Sequence, residues 1–296
     1  MDRTNEIKYI VMQICYIPSI ICCIFSLFHF FFNRNLRLAL HNHISFILLL
    51  VSLCDLLFNH PFTLVYLRVG QVIPSNDTFC LLWNFVNTIF IVSTYCSMAW
   101  GTFVRHLLIF YSSFYVSIRK LIFIHYIPIC FISIFYPIAF SIIVILSYPC
   151  TNHFNMLSLF CAYTCALKVQ PVALYARIAH NFLPVFIVTI STILLIQRVI
   201  KRKLNHRFNW RRYRRMCIQL IALTSLFLSL TLPITIVSII QNCCIINFAA
   251  TIQSVYLNFF VRFLTIFMPF ICFSSLPEIW PKCLTVRQTR TYPVHT

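Results

Sequence analysis

Residues 80–110 read CLLWNFVNTIFIVSTYCSMAWGTFVRHLLIF, an apolar run that begins at Cys80 and carries its one strong charge, Arg105, near the far end. An α-helix rises about 1.5 Å per residue, so a helix from Cys80 to Arg105 spans roughly 37 Å. The hydrocarbon core of a bilayer is about 30 Å thick. The stretch therefore predicts a membrane-spanning helix with a thiol at its outer face and a cation at its inner face.

The composition extends this prediction to the whole chain. Of the 296 residues, 60% are hydrophobic and 9% are charged, and the mean hydropathy is +0.87. A soluble domain of this size has too small an interior for so much apolar surface. Seven segments are long and apolar enough to span a membrane, at about 8–32, 43–67, 78–111, 121–147, 173–199, 213–240 and 248–274. They predict an all-α seven-helix membrane bundle, one domain over 1–296 with a short tail at 275–296.

The distribution of Lys and Arg predicts how the bundle is oriented. Counted over alternate connections, one side of the membrane holds 17 of these residues and the other holds five. Positive residues stay in the cytosol, so the N-terminus is expected outside and the tail inside. The net charge of +18 then belongs to cytosolic loops beside anionic lipids and indicates no nucleic-acid partner. The N-glycosylation sequon at Asn76 falls in an outer connection.

These features together resemble the rhodopsin-like family of G-protein-coupled receptors. Arg105 matches the arginine of the family's Asp-Arg-Tyr motif, and Cys80 lies at the family's distance from it. Val104 stands in place of the acid and His106 in place of the tyrosine. Without that acid, the sequence predicts either high basal activity or a restraint on Arg105 from other contacts.

The second and third spans contribute a further resemblance. Residues 50–57, LVSLCDLL, are similar to the family's LAxxDLL element and place Asp55 at the family's sodium-site acid. An ionised side chain in mid-membrane costs roughly 2.5–3.5 kcal/mol, which favours a functional role. Thr94, eleven residues before Arg105, matches a hydroxyl of the same site. Met268 replaces an asparagine of that site.

The sixth and seventh spans keep only part of the family's switch motifs. Phe227 and Pro233 match FxxCWxP, with Thr231 in place of the tryptophan, and Pro269 is what remains of NPxxY. Proline kinks a helix, as an outward-swinging sixth helix requires. The resemblance thus assigns the switch that meets the G protein to a set spread over three spans: Arg105, His106, Phe227, Pro233 and Pro269.

The resemblance implies a plasma-membrane receptor that transmits an extracellular signal to a heterotrimeric G protein. Asn87 occupies the position of the aspartate of amine receptors, which argues against a biogenic amine. Arg262 occupies the position of the retinal lysine and cannot form a Schiff base, so no cofactor is expected. Asn87, Arg262 and Thr231 are the expected ligand-pocket residues, for a peptide or a small anionic or chemosensory ligand. A purely structural arginine at position 262 is the competing interpretation.

The resemblance also implies a disulfide between Cys80 and the second outer loop. Cys165 is the favoured partner and Cys161 the second choice, because both lie near the fifth span. Cys150 also lies in this loop, and a further bond within the loop or to Cys243 or Cys244 stays open, since sequence does not fix connectivity.

The sequence bears on two other classes of function. The sequence shows no set of converging acids, bases or metal ligands, so neither an enzyme nor a metal site is expected. The alternative to the receptor is a chemoreceptor or ligand-gated channel outside the rhodopsin-like family, with the opposite topology. The basic segment at 201–215, KRKLNHRFNWRRYRR, is expected to meet anionic lipid headgroups or an acidic surface of a partner.

Overall fold

Seven long helices make up the chain in the computed structural model, which describes residues 3–34, 36, 40–110, 122–162, 164–204, 210–243 and 248–275. By length and composition all seven are able to cross a membrane. Their membrane-length parts are Arg3–Phe32 (α1), Asn42–Val69 (α2), Asp77–Leu107 (α3), Ile127–Leu146 (α4), Gln170–Lys201 (α5), Cys217–Gln241 (α6) and Ala250–Ser274 (α7). The predicted seven-helix fold is confirmed.

The helix α3 lies at the centre of the bundle and contacts α2, α4, α5 and α6, whereas α7 packs against α1, α2 and α6. A close approach fixes α3 against α2: a Cβ on Gly101 would meet Ile44 Cγ2 at 2.6 Å. Only glycine leaves room for this contact. The main apolar core takes residues from all seven helices, and its members include Leu27, Leu48, Tyr95, Ile129, Val188, Phe227 and Met268.

Irregular turns change the direction of side chains in four of the helices, and in α4 they are the wide π-type turns Phe131–Phe135 and Ile142–Leu146. In α2, Asn59 separates the segments Leu40–Phe58 and His60–Val69. Pro61, near the start of the second segment, has no N–H with which to continue the hydrogen-bond ladder. Wide π-type turns occur at Arg177–Phe182 in α5 and at Gln253–Leu257 in α7, and such turns are frequent at functional sites.

The loop between α4 and α5, which the charge distribution predicts outside the cell and which is called the outer loop here, is held by two disulfides, Cys80–Cys161 and Cys150–Cys165. The favoured pairing of Cys80 with Cys165 is therefore wrong, and the second choice, Cys161, is the partner. The side chains of Cys243 and Cys244 lie outside the described part of the chain.

The fold of the loop explains this pairing. Phe160, Cys161 and Ala162 adopt left-handed backbone angles, with φ of 56°, 54° and 64°, which turn the loop back onto α3. The side-chain amide of Asn84 donates to the Phe160 carbonyl at 2.9 Å. This contact holds Cys161 over Cys80, while Cys165 lies beside Cys150.

The orientation of the bundle is tested at Asn76. This residue is exposed and its side-chain oxygen accepts the Phe79 N–H at 2.7 Å, capping α3. We expect cell-expressed protein to shift in gel mobility when treated with an N-glycosidase. The shift is lost in Asn76→Gln and retained in Thr78→Ser, which preserves the sequon. An unmodified wild-type chain would contradict an outer second connection.

Candidate functional site: the outer cavity and its polar network

A cavity of about 690 Å³ opens between α3, α5, α6, α7 and the outer loop. Its volume lies within the range of about 300–1,000 Å³ that is usual for small-molecule pockets. Asn87 and Arg262, two of the residues expected in the ligand pocket, both line it. The third, Thr231, is buried outside this lining, and its hydroxyl donates to the Phe227 carbonyl at 2.7 Å.

Arg262 is the charged residue that α7 buries against this cavity. Its side chain and backbone together are 5% exposed. Its Nη2 donates to Asn87 Oδ1 at 2.6 Å, and its guanidinium carbon lies 4.3 Å from the centroid of the Phe160 ring. A cation over an aromatic face is stabilised by the ring quadrupole. Arg262 is thus held from α3 by a neutral amide and from the outer loop by an aromatic ring.

Asn59, at the interruption of α2, links this arginine to the second helix. Its Nδ2 donates to Asp55 Oδ1 at 2.8 Å and to Asn87 Oδ1 at 3.1 Å. Its own Oδ1 accepts the indole N–H of Trp83 at 2.8 Å. All of these side chains are almost fully buried, where an unmet hydrogen bond is costly. Asn59 is therefore the hub of a polar network across α2, α3 and α7.

His60 completes the network on the other side of Asp55. Its Nδ1 lies 3.4 Å from Asp55 Oδ2, and its Nε2 lies 3.4 Å from the Arg262 carbonyl oxygen. The Thr265 hydroxyl lies 3.5 Å from the same nitrogen. The imidazole is fully buried, so it connects the Asp55 carboxylate to the backbone of α7 at Arg262.

A second, small chamber of about 20 Å³ lies next to Asp55, with Thr94, Thr265 and Arg262 in its wall. This is room for one water-sized particle. Thr94 Oγ1 is buried and has no hydrogen-bond partner among the described residues. The two residues of the expected sodium-like site thus face one chamber, although an occupant there remains a prediction. Met268 instead accepts a weak hydrogen bond from Ser52 Oγ at 3.5 Å.

At the opposite end of the bundle, Arg105 is 2% exposed and is restrained by neutral groups. Its Nη2 donates to Ser45 Oγ at 2.6 Å, and Gln219 Nε2 donates to the same oxygen at 3.1 Å. Ser45 therefore joins α2, α3 and α6. Val104 is fully buried in the apolar core.

The other expected switch residues lie in three helices. His106 is 8% exposed, and Phe227 is fully buried with its ring edge-on to Tyr95 at 5.2 Å. Pro233 lies inside α6 and Pro269 inside α7.

Comparison with known proteins identifies the architecture. No family profile and no curated relative matches the sequence. The crystal structure of squid rhodopsin superposes on 95% of this chain and 83% of that chain, with a TM-score of 0.69 and 17% sequence identity. The chain has the rhodopsin fold.

Within the rhodopsin fold, three members of the polar network were missed by sequence reasoning: Asn59, His60 and Trp83. The four-residue spacing of Asp55 and Asn59 puts both on one helix face and was a usable signal. The contact of Trp83 with Asn59 joins two helices, and no local pattern reports it. Asn87 and Arg262 were found because the rhodopsin-like register brings both to the same cavity.

The hub role of Asn59 is testable by stability. Asn59→Leu leaves the Trp83 N–H and one Asp55 oxygen without partners, at about 1–3 kcal/mol each. We expect the melting temperature of the purified chain in detergent micelles to fall clearly. Trp83→Phe removes the indole donor, so it costs less in the Asn59→Leu background than in the wild type. Additive losses in the double variant would contradict the network.

Proposed function

We propose that this chain is a plasma-membrane receptor that couples an extracellular anionic ligand to a heterotrimeric G protein. The observation that carries the proposal is Arg262: a buried cation in the wall of the outer cavity, whose Nη2 donates to the neutral amide oxygen of Asn87. Arginine offers several donors in a planar fork, which suits carboxylates and related anions. The rhodopsin fold supports the receptor class over a chemoreceptor or channel of another fold.

The cavity would place the anionic ligand in contact with α6, the helix that moves in the proposed activation. Ile234, Ser238 and Gln241 of α6 line the same cavity as Arg262 of α7 and Asn87 of α3. A ligand activates only if it binds the open arrangement of these helices more tightly than the closed one. An anion that binds the Arg262 guanidinium competes with Asn87 for its hydrogen bond. Because Asn87 also accepts from Asn59, binding would perturb the contact with α2 as well.

The cytosolic half of the proposal rests on Arg105 and the segment after α5. Arg105 and Gln219 share Ser45 in the resting arrangement, and displacement of α6 exposes the cleft for the G protein. The basic segment at 201–215, whose side chains from position 202 lie outside the described residues, is proposed to bind anionic lipid headgroups at about 1 kcal/mol per basic residue. An acidic surface of the partner is the alternative.

The ligand role is tested with an agonist found by screening small carboxylates and acidic peptides with a second-messenger readout. Arg262→Gln keeps a donor but removes the charge, and a charged hydrogen bond contributes about 1.5–3 kcal/mol. We expect the half-maximal concentration to rise at least tenfold. Asn87→Asp supplies an internal carboxylate that pairs with Arg262 and should reduce the response in the same way.

The control is Arg68→Gln, which removes a cation at the outer end of α2, away from the cavity lining. It should respond as the wild type does. An unchanged response in Arg262→Gln would rule out the ligand role and leave a structural arginine.

The restraint at Ser45 predicts a change in basal signalling. Ser45→Ala removes the oxygen that Arg105 and Gln219 share, so α6 is held less firmly and ligand-free signalling should rise. Val104→Asp places a carboxylate beside Arg105 and should lower it. Second-messenger levels normalised to surface receptor are the measurement. Ser225→Ala, an exposed serine of α6 that bonds only its own helix, is the control, and equal basal levels in both serine variants would contradict the restraint.

A further inference from the structure

The outer cavity has several positively charged residues in its lining. The charged side chains in its lining are Lys168, Arg177 and Arg262, and among the described residues no Asp or Glu lines it. The whole chain contains five acidic residues against 23 Lys and Arg. A cleft with one sign of charge concentrates counter-ions. Its electrostatics therefore favour a ligand with more than one negative group.

The three cations come from three different parts of the cavity wall: Lys168 from the outer loop, Arg177 from α5 and Arg262 from α7. Arg262 lies twelve residues into α7, about 18 Å from its outer end, and Arg177 lies seven residues into α5, about 10 Å from its outer end. Lys168 precedes α5 and is exposed. Arg177 and Arg262 thus line the cavity from two different helices, α5 and α7, so a ligand that contacts both has to extend across the cavity.

The wide turns place side chains in the cavity wall. Arg177 opens the turn Arg177–Phe182 of α5, and His180 and Asn181 of the same turn also line the cavity. The turn Gln253–Leu257 of α7 contributes Gln253 and Ser254. A π-type turn rotates the side chains that follow it out of the ordinary helical register. Both helices are therefore irregular where they face the cavity.

Besides its cations and neutral polar residues, the lining contains apolar side chains, among them Ile91, Val92, Phe140, Leu167, Ala173 and Val261. A small acid held only at Arg262 would leave most of the 690 Å³ and this apolar surface to water. An apolar segment in the ligand removes that surface from water at about 25 cal/mol per Å².

We propose that the ligand is an elongated dianion: one anionic group binds Arg262, an apolar middle packs along the wall, and a second anionic group binds Arg177, with Lys168 at the entrance. This inference rests on the proposed function and specifies its ligand class. Zwitterions and amines are disfavoured, because no carboxylate in the lining meets an ammonium group.

The test uses the full chain in nanodiscs of uncharged lipid. The probes are straight-chain dicarboxylates from succinate to sebacate and monocarboxylates of matching length, with binding measured by calorimetry. We expect one of the longer dicarboxylates to bind at least tenfold more tightly than its monocarboxylate. Arg177→Gln should abolish this advantage and leave monocarboxylate binding unchanged, whereas Arg262→Gln should abolish the binding of both. Arg68→Gln is the control and should match the wild type.

The outcomes separate the inference from the proposed function. If monocarboxylates bind through Arg262 but dicarboxylates bind no better, or if Arg177→Gln leaves their advantage intact, the dianion is wrong and the anion receptor stands. If Arg177→Gln weakens the binding of monocarboxylates and dicarboxylates to the same degree, Arg177 only attracts anions in general by its charge. That result would also contradict a dianionic ligand. If neither class binds in an Arg262-dependent manner, the proposed anionic ligand fails as well.

Discussion

The burial of a positive charge at membrane depth is the constraint on which the outer half of this structure depends. A charged group in a low-dielectric interior needs polar partners, and Arg262 finds them in Asn87 and in the face of Phe160. Phe160 reaches the arginine because the outer loop turns left-handed there and is bonded to α3 by Cys161. Asn87 is in turn bonded by Asn59, at the interruption of α2. The irregular loop, the disulfide and the interrupted helix α2 therefore all contribute to holding Arg262 in place.

Both ends of the bundle bury an arginine against a neutral oxygen. Arg262 donates to an amide and Arg105 to a hydroxyl, each at 2.6 Å. A carboxylate in either position would neutralise the cation and occupy its donors, whereas an amide or a hydroxyl orients the side chain and leaves its net charge in place. The chain has 23 Lys and Arg but only five acids. Asp55, which is buried inside α2, is bonded to Asn59 and His60.

The sequence was sufficient for the parts of the structure that local patterns determine. Seven apolar runs predict seven helices, because helices of this kind satisfy their own backbone hydrogen bonds across a bilayer. The spacing of Asn87 from Arg105 and of Arg262 from Pro269 predicted that Asn87 and Arg262 line one pocket. Cys161 and Cys165 are four residues apart, and the choice between them depends on how Asn84 holds the Phe160 carbonyl, which is a tertiary contact. The same is true of Ser45, sixty residues before Arg105 and outside any motif.

The contact between Gly101 and Ile44 has a mechanical consequence. Gly101 lies one turn from Arg105, and Ile44 is next to Ser45, so this close approach of α2 and α3 is adjacent to the Arg105–Ser45 hydrogen bond. Helices packed this closely do not slide past one another without a clash. We therefore expect α2 and α3 to behave as one rigid unit that contains the Arg105–Ser45 hydrogen bond. In the proposed activation α6 moves, which breaks the Gln219–Ser45 hydrogen bond and leaves the Arg105–Ser45 hydrogen bond intact.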